Sequence, residues 1–362
     1  MPSLNVSGAI TAPSLPSDSP PCPAGPAAAR ELRALATPYA KPDTRRGAIQ
    51  LLVTALPYLT MMAAMLVGLY YQVWLALLMA LPAALFLVRL FMIQHDCGHG
   101  SFFKSRWANN LLGSVLSVLT MTPYQDWRRC HATHHADTGN LDRRGVGDIT
   151  TMTVREYLQR PWLARFGYRL YRHPLILFGV GPGYQFLLRF RIPSTQRLGH
   201  LPSWFAVMGT NAAIAAIMAS LALTVGARPF LLAFLPVILL ASTVGVWMFY
   251  VQHQFEETYW EPDARWNFDE AALAGSSYYD LPRALHWLTA YIGFHHIHHL
   301  SSRIPNYRLS ECFRENPGLR NAKRLTLRQS FRCLRLALWD EDARRLVPFR
   351  ALRKYRGEPA SN

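Results

Sequence analysis

The chemistry-bearing residues in this chain are histidines. Thirteen would mean little if scattered through 362 residues, but most fall in three short runs. These are His95-Asp96-Cys97-Gly98-His99, His131-Ala132-Thr133-His134-His135 and His295-His296-Ile297-His298-His299. Helix positions i, i+3 and i+4 share a face. His95 with His99, His131 with His134 and His135, and His295 with His298 and His299 therefore each aim imidazoles at a common point. His296 falls about 100° around the same helix and stands as an alternative to one of its neighbours. His253, in Val251-Gln252-His253-Gln254-Phe255-Glu256-Glu257, follows an apolar run as His95 does and joins the candidates.

The expected metal ligands are thus His95, His99, His131, His134, His135, His253, His295, His298 and His299. Nine imidazoles exceed the four ligands of a structural zinc site and the three of a catalytic one. They suit two ions with positions left open for O2, and iron is among the metals imidazole favours. Two irons are the expectation. Asp96, Asp126, Asp142, Asp148 and Glu256 are candidate acceptors for the ligands' second N–H. His173, His200 and His286 read as ordinary interfacial histidines. The cysteines, Cys22, Cys97, Cys130, Cys312 and Cys333, are odd in number and lack C-x-x-C pairing, which reads as thiols on a reducing side.

The elements that must bring these histidines together are apolar. Hydrophobic residues make up 51% of the chain and charged ones only 17%, too apolar for disorder. Four nearly uncharged stretches, at about 49–69, 73–93, 204–225 and 230–251, are each long enough to span a bilayer. Within them only Arg89 is charged, placed where it could snorkel to the interface. Tyr70-Tyr71-Gln72 separates the first pair and Gly226-Ala227-Arg228-Pro229 the second, so the expected fold is an all-α integral membrane protein. It has four transmembrane helices in two hairpins and a cytosolic helical cap carrying the histidines. The net charge of +16 is read as positive-inside bias, not a nucleic-acid surface, because the hairpin tips hold only Arg228. The stretches 108–121 and 175–190 are too short or too broken to span and read as interfacial helices. If 175–190 crossed, the third histidine run would lie on the opposite face from the second. Residues 1–46, rich in proline, read as a disordered cytosolic tail, residues 47–345 as the membrane domain with histidine regions at 94–202 and 252–345, and 346–362 as a basic tail.

At this point the sequence resembles the membrane-bound fatty acid desaturases. The likeness is carried by His95 through Phe102, His131 through His135, Phe294 through Leu300 and Ile304-Pro305-Asn306-Tyr307, and it extends over about residues 48–345. The Asn140-to-Asp148 run and Tyr250-to-Glu256 look like the bacterial acyl-lipid branch, of delta-5 and delta-12 (omega-6) type. The resemblance implies a di-iron centre that activates O2 and removes two hydrogens from adjacent methylenes of a lipid acyl chain, giving a cis double bond. It implies electrons from ferredoxin or a similar carrier, and it assigns the nine histidines above as ligands. The acyl-CoA branch has an Asn one turn before the residue matching His253, linked to metal through water; this chain has Phe249, and that contact is not carried over. The location implied is a bacterial inner membrane, with both termini and the histidines cytosolic.

The chemistry agrees with that architecture, since an unactivated methylene offers no acidic proton and needs a cofactor to be oxidised. The protein's part is placement, with an acyl tunnel expected between the spans. Arg328, Arg332 and Arg335, at helical spacing after the third run, are expected near anionic headgroups or an acidic electron donor. Two other readings are open. A related di-iron hydroxylase or ketolase acting on alkane, lipid or carotenoid would keep the metal and insert oxygen. A metal transporter or redox sensor would place polar ligands at the bilayer midplane, yet the uncharged spans here contain no histidine.

Overall fold

The computed structural model describes residues 25–356. Four of its helices are long and apolar enough to cross a membrane. These are α2 (Thr44–Tyr70), α3 (Ala80–His99, entered through a 3-10 turn at Trp74–Met79), α9 (Leu201–Val225) and α10 (Ala227–His253). α3 is the central one. Its apolar window is 56% buried against 11% for α9, because it packs on both α2 and α10. Short turns join α2 to α3 and α9 to α10, and Arg228, at the start of α10 beside the second turn, lies 5.5 Å over the Trp74 ring beside the first. Both turns therefore sit at one end of the helices. The histidines sit at the other.

The four long helices run further than the apolar stretches that announce them. α2 begins at Thr44, where the Asp43 side chain accepts from the Arg46 N–H at 3.0 Å, an N-cap that offsets an unsatisfied helix donor. α3 and α10 continue through the polar residues that end with His99 and His253. The outermost histidines are thus carried on the last turns of rigid helices. Arg89 does not snorkel. It is fully buried, donating to Thr54 Oγ1 at 2.9 Å, to Gln50 Oε1 and to the Trp287 carbonyl, with its guanidinium 4.1 Å from the Trp287 ring. Internal acceptors replace the interface it was expected to reach.

Between α3 and α9 lie α4 (Arg106–Leu119), α5 (Tyr124–Asp137), α6 (Val154–Gln159), α7 (Trp162–Tyr171) and α8, an irregular run of π, α and 3-10 turns over residues 175–191. α8 lies along α10: Thr243 donates to the Phe178 carbonyl at 2.9 Å and the Phe178 ring meets Trp247 at 5.1 Å. Beyond α10 come α11 (Phe268–Ala274), α12 (Arg283–Leu288), α13 (His295–Leu300), α14 (Asn306–Glu315) and α15 (Leu327–Cys333).

The region around the histidines is not purely helical. β1 (Met152–Thr153) pairs parallel with β4 (Leu338–Asp340), which pairs antiparallel with β5 (Arg345–Val347), while β2 (Tyr278–Asp280) pairs parallel with β3 (Arg324–Thr326). Strands of two or three residues carry no readable periodicity, but they tie distant loops together around the site.

Both terminal expectations need correction where the structure describes them. Residues 1–24 and 357–362 lie outside the described residues. From Pro26 the chain is ordered: α1 (Pro26–Ala36) buries Ala29, Leu32 and Ala36 against Leu273, Ile297 and Leu300, and Arg33 pairs with Asp269 at 3.3 Å. At the other end β5 and a 3-10 helix over Phe349–Arg356 continue the fold, with Phe349 packed on Tyr157, Tyr168 and Arg169. In each case tertiary burial orders a segment whose composition suggested a tail.

Candidate metal centre

All nine expected ligands converge. His95 and His99 come from the end of α3, His131, His134 and His135 from α5, His253 from the end of α10 and His295, His298 and His299 from α13. The ring nitrogens form two groups. His95, His99, His131, His135 and His298 have donor atoms mutually within 4.8 Å, as do His134, His253 and His299. His295 joins the second group, with its Nε2 2.9 Å from that of His253 and 3.1 Å from that of His299. The division is therefore five and four. α5 supplies both groups, because His134 faces away from the His131–His135 pair by most of a quarter turn.

The spacing of the nitrogens tests whether the set fits metal. Besides the two contacts of His295, the Nε2 atoms of His131 and His135 are 3.1 Å apart, those of His135 and His298 3.0 Å, and those of His134 and His253 3.2 Å. Two nitrogens each about 2.05 Å from one ion are roughly 2.9 Å apart at a right angle and about 3.3 Å apart at the tetrahedral angle. These edges, 2.9 to 3.2 Å, fall between the two values, so each group has the spacing of nitrogens that share one ion.

Burial prepares the nitrogens for this role. Desolvation, reinforced by the neighbouring imidazoles, holds His131, His135, His295, His298 and His299 well below the ordinary histidine value of 6.5. Neutral rings keep a lone pair free for a cation. The Nε2 of His99 is buried with no hydrogen-bond partner among the described residues, an orphan that a metal would satisfy. Around the groups, the Trp127 ring stacks on His131 at 4.6 Å and Phe249 lies 5.0 Å from His134 and 5.2 Å from His253.

His296 is not part of the cluster. It sits on the opposite face of α13, its Nε2–H donating to the Leu319 carbonyl at 2.9 Å, and burial lowers it to about 4. The other three histidines also have local partners. His173 Nδ1 accepts from the Leu175 N–H at 3.3 Å, His200 Nδ1 meets Ser203 Oγ at 3.0 Å, and His286 Nε2 accepts from the Leu281 N–H at 3.1 Å. Of the five acidic candidates, Asp96 and Asp148 reach a cluster histidine. Asp96 Oδ1 is 3.2 Å from His95 Nδ1, and Asp148 Oδ1 is 2.5 Å from His134 Nδ1. Asp126 instead accepts from Ser194, Asp142 from the Asp263 N–H, and Glu256 faces Arg345.

Several residues that set this geometry carried no role in the sequence reading. Tyr124 donates to the Cys97 carbonyl at 2.8 Å, joining α5 to the turn between His95 and His99. Gln94, fully buried, donates to the Thr122 carbonyl and accepts from Thr120 Oγ1. Arg172, buried, donates to Gln254 Oε1, Tyr250 Oη and the Leu336 carbonyl, fixing the residues on either side of His253. Asn306 donates twice to Asp96, and Tyr307 donates to the Phe102 carbonyl at 3.0 Å. The Ile-Pro-Asn-Tyr motif was visible in sequence. Its partners, some two hundred residues earlier in the chain, were not.

Comparison with known proteins agrees with this arrangement. Residues 72–331 match the sequence profile of the family described as fatty acid desaturase. The chain is 42% identical over 317 residues to a "Fatty acid desaturase" of Bacillus subtilis, covering 87% of this chain and 89% of that protein. It is 32% identical over 226 residues to the "sn-1 oleoyl-lipid 12-desaturase" of Synechocystis, covering 60% and 62%. It is also 32% identical over 237 residues to that organism's "sn-1 acyl-lipid omega-3 desaturase (ferredoxin)", covering 61% of each.

Proposed function

Since the chain belongs to the fatty acid desaturase family and is a membrane-bound enzyme of that family, we propose that it is an acyl-lipid desaturase placing a cis double bond in a fatty acyl chain. It uses two iron ions, O2 and electrons from a ferredoxin-like protein. The observation that carries this is the division of nine imidazoles, seven buried and His99 and His131 half-buried, into groups of five and four. His95, His99, His131, His135 and His298 hold one ion, and His134, His253, His295 and His299 the other. When bound, the two irons supply O2 activation and the oxidising power that an unactivated methylene requires.

The protein's own contribution is placement and exclusion of water. His95, His99 and His253 sit on the ends of α3 and α10, so the site lies at the membrane surface, within reach of an acyl chain held between the helices. Phe249 and Trp127 cover the imidazoles with apolar surface, which keeps bulk water from the reacting region. Register must come from the shape of the acyl path, because each methylene contributes only about 0.8 kcal/mol. The relatives named for acyl-lipid substrates and for ferredoxin support the substrate class and the donor.

The four helices cross a bacterial inner membrane as two hairpins, with the histidine end and both termini in the cytosol. The shared end of the two turns, which holds Arg228, and the concentration of the other basic residues outside the apolar helices support this orientation. Arg328, Arg332 and Arg335 are exposed on and just after α15, beside Phe331, whose ring meets Trp247 of α10 at 5.2 Å. That surface suits anionic headgroups or an acidic donor.

The test is expression in a host whose lipids are saturated or monounsaturated, followed by mass spectrometry of fatty methyl esters and metal analysis of the purified protein. A new cis double bond with iron bound is expected. Hydroxylated or ketonic products would overturn desaturation in favour of oxygen insertion, and an unchanged lipid profile from iron-loaded protein would overturn the activity.

A further inference from the structure

Among the described residues two carboxylates touch the nine imidazoles, and they do not touch the same group. Asp96 meets His95, a member of the group of five, and Asp148 meets His134, a member of the group of four. We infer that Asp96 and Asp148 are positioning residues, one for each half of the site, each turning one imidazole into a carboxylate-backed ligand. This rests on the two-ion reading above.

Each carboxylate is held by its other oxygen. Asp96 is almost fully buried, and its Oδ2 accepts from the Asn306 backbone N–H at 2.7 Å and from Asn306 Nδ2 at 2.9 Å. Asn306 opens α14, so the orientation of His95 depends on a residue placed by the segment after α13. Asp148 Oδ2 accepts from the Gly145 N–H at 3.3 Å, within a loop folded against α5. Gly147 in that loop has φ +72°, and a Cβ there would approach His134 Cβ at 3.2 Å and the Cys130 carbonyl at 3.3 Å. The left-handed turn and the close approach both call for glycine.

The remaining ligands are backed differently. His253 donates from Nδ1 to the Gly275 carbonyl at 3.0 Å, while the Nδ1 atoms of His135, His295 and His298 are buried with no hydrogen-bond partner among the described residues. A carboxylate on Nδ1 fixes the proton there, points the Nε2 lone pair inward and strengthens it as a donor. It also places negative charge beside a buried cation otherwise surrounded by neutral rings, whose burial without compensation is unfavourable. One such group per half gives both ions the same support.

The experiment is metal analysis of full-length protein in detergent after a graded chelator challenge, for the wild type, Asp96→Asn, Asp148→Asn, the double variant and Asn306→Ala. Wild type is expected to retain two irons per chain. Each single Asn variant should hold one ion as tightly as wild type and the other about 10- to 100-fold more weakly, and the double variant should weaken both. Asn306→Ala keeps both carboxylates and should weaken one ion by less than Asp96→Asn does. Adding His134→Ala to Asp148→Asn should leave the other ion held as tightly as in wild type, since both act on one half. Thermal melting of the metal-free proteins, expected to match, separates loss of metal from loss of fold. Single variants holding two ions with wild-type chelator resistance would overturn the assignment, as would single variants that release both ions together. A wild type holding fewer than two ions would instead overturn the two-ion reading itself.

Discussion

Gly113→Ala tests whether the histidine cluster depends on one close contact between α4 and α5. A Cβ at Gly113 would lie 2.3 Å from the Tyr124 ring, where ordinary contact begins at 3.4 Å, so the ring or the helix must move by about 1 Å. Tyr124 is 1% exposed, so the ring cannot swing out into solvent. Overpacking of this kind costs about 1–3 kcal/mol. The move also strains the 2.8 Å bond from Tyr124 to the Cys97 carbonyl, which is worth about 1 kcal/mol more. The expected destabilisation is therefore roughly 2–4 kcal/mol. Because Tyr124 begins the helix carrying His131, His134 and His135, and Cys97 lies between His95 and His99, a shift of this size also misaligns two of the three histidine runs. Turnover should fall by about 100-fold. Thermal unfolding of the purified protein and product yield in the expression host measure the two effects. In a Tyr124→Ala background the obstructing ring is gone, and Gly113→Ala should cost less than about 0.5 kcal/mol, a coupling that a double-mutant cycle isolates. An unaltered melting profile for Gly113→Ala alone, or an equal cost in both backgrounds, would refute the argument.

Other outcomes follow from the same geometry. His134→Ala and His298→Ala, one from each group, are expected to abolish metal-dependent turnover while membrane insertion, followed by fractionation, is unchanged. His296→Gln should keep both metals and most activity in the same assays, because that ring faces Leu319. Arg172→Met removes one of two donors from the Leu336 carbonyl and from Gln254 Oε1, which keep Tyr250 Oη and Thr151 Oγ1; a loss of about 1–3 kcal/mol in unfolding free energy is expected. For the metal-free protein, folded-state values lowered below 6.5 at His131, His135, His295, His298 and His299 mean that the unfolded chain binds more protons below that pH. Its stability should therefore fall as pH drops through 6.5 and stay level just above it, as denaturant melts at graded pH would register.

The nature of the site was legible from sequence because its signals are local. Imidazoles at i, i+3 and i+4 share a helix face whatever surrounds the helix, and an uncharged run of about 20 residues meets the length of a membrane span by itself. Those two features place His131, His134 and His135 together and put His95 and His253 at helix ends. They say nothing about contacts between separate runs. That His134 leaves its own run to join His253, His295 and His299 is decided by how α5 crosses α10 and α13. That Asp96 answers to Asn306, 210 positions later, and that Arg89 finds Gln50, Thr54 and Trp287 instead of the interface, are likewise long-range outcomes. So is the ordering of α1, whose alanines and Leu32 have an apolar face worth burying only once α11 and α13 are in place. Residue type and spacing settled the kind of chemistry. Packing settled which nitrogen faces which, because burial and hydrogen-bond direction belong to the assembled fold and not to any stretch of chain.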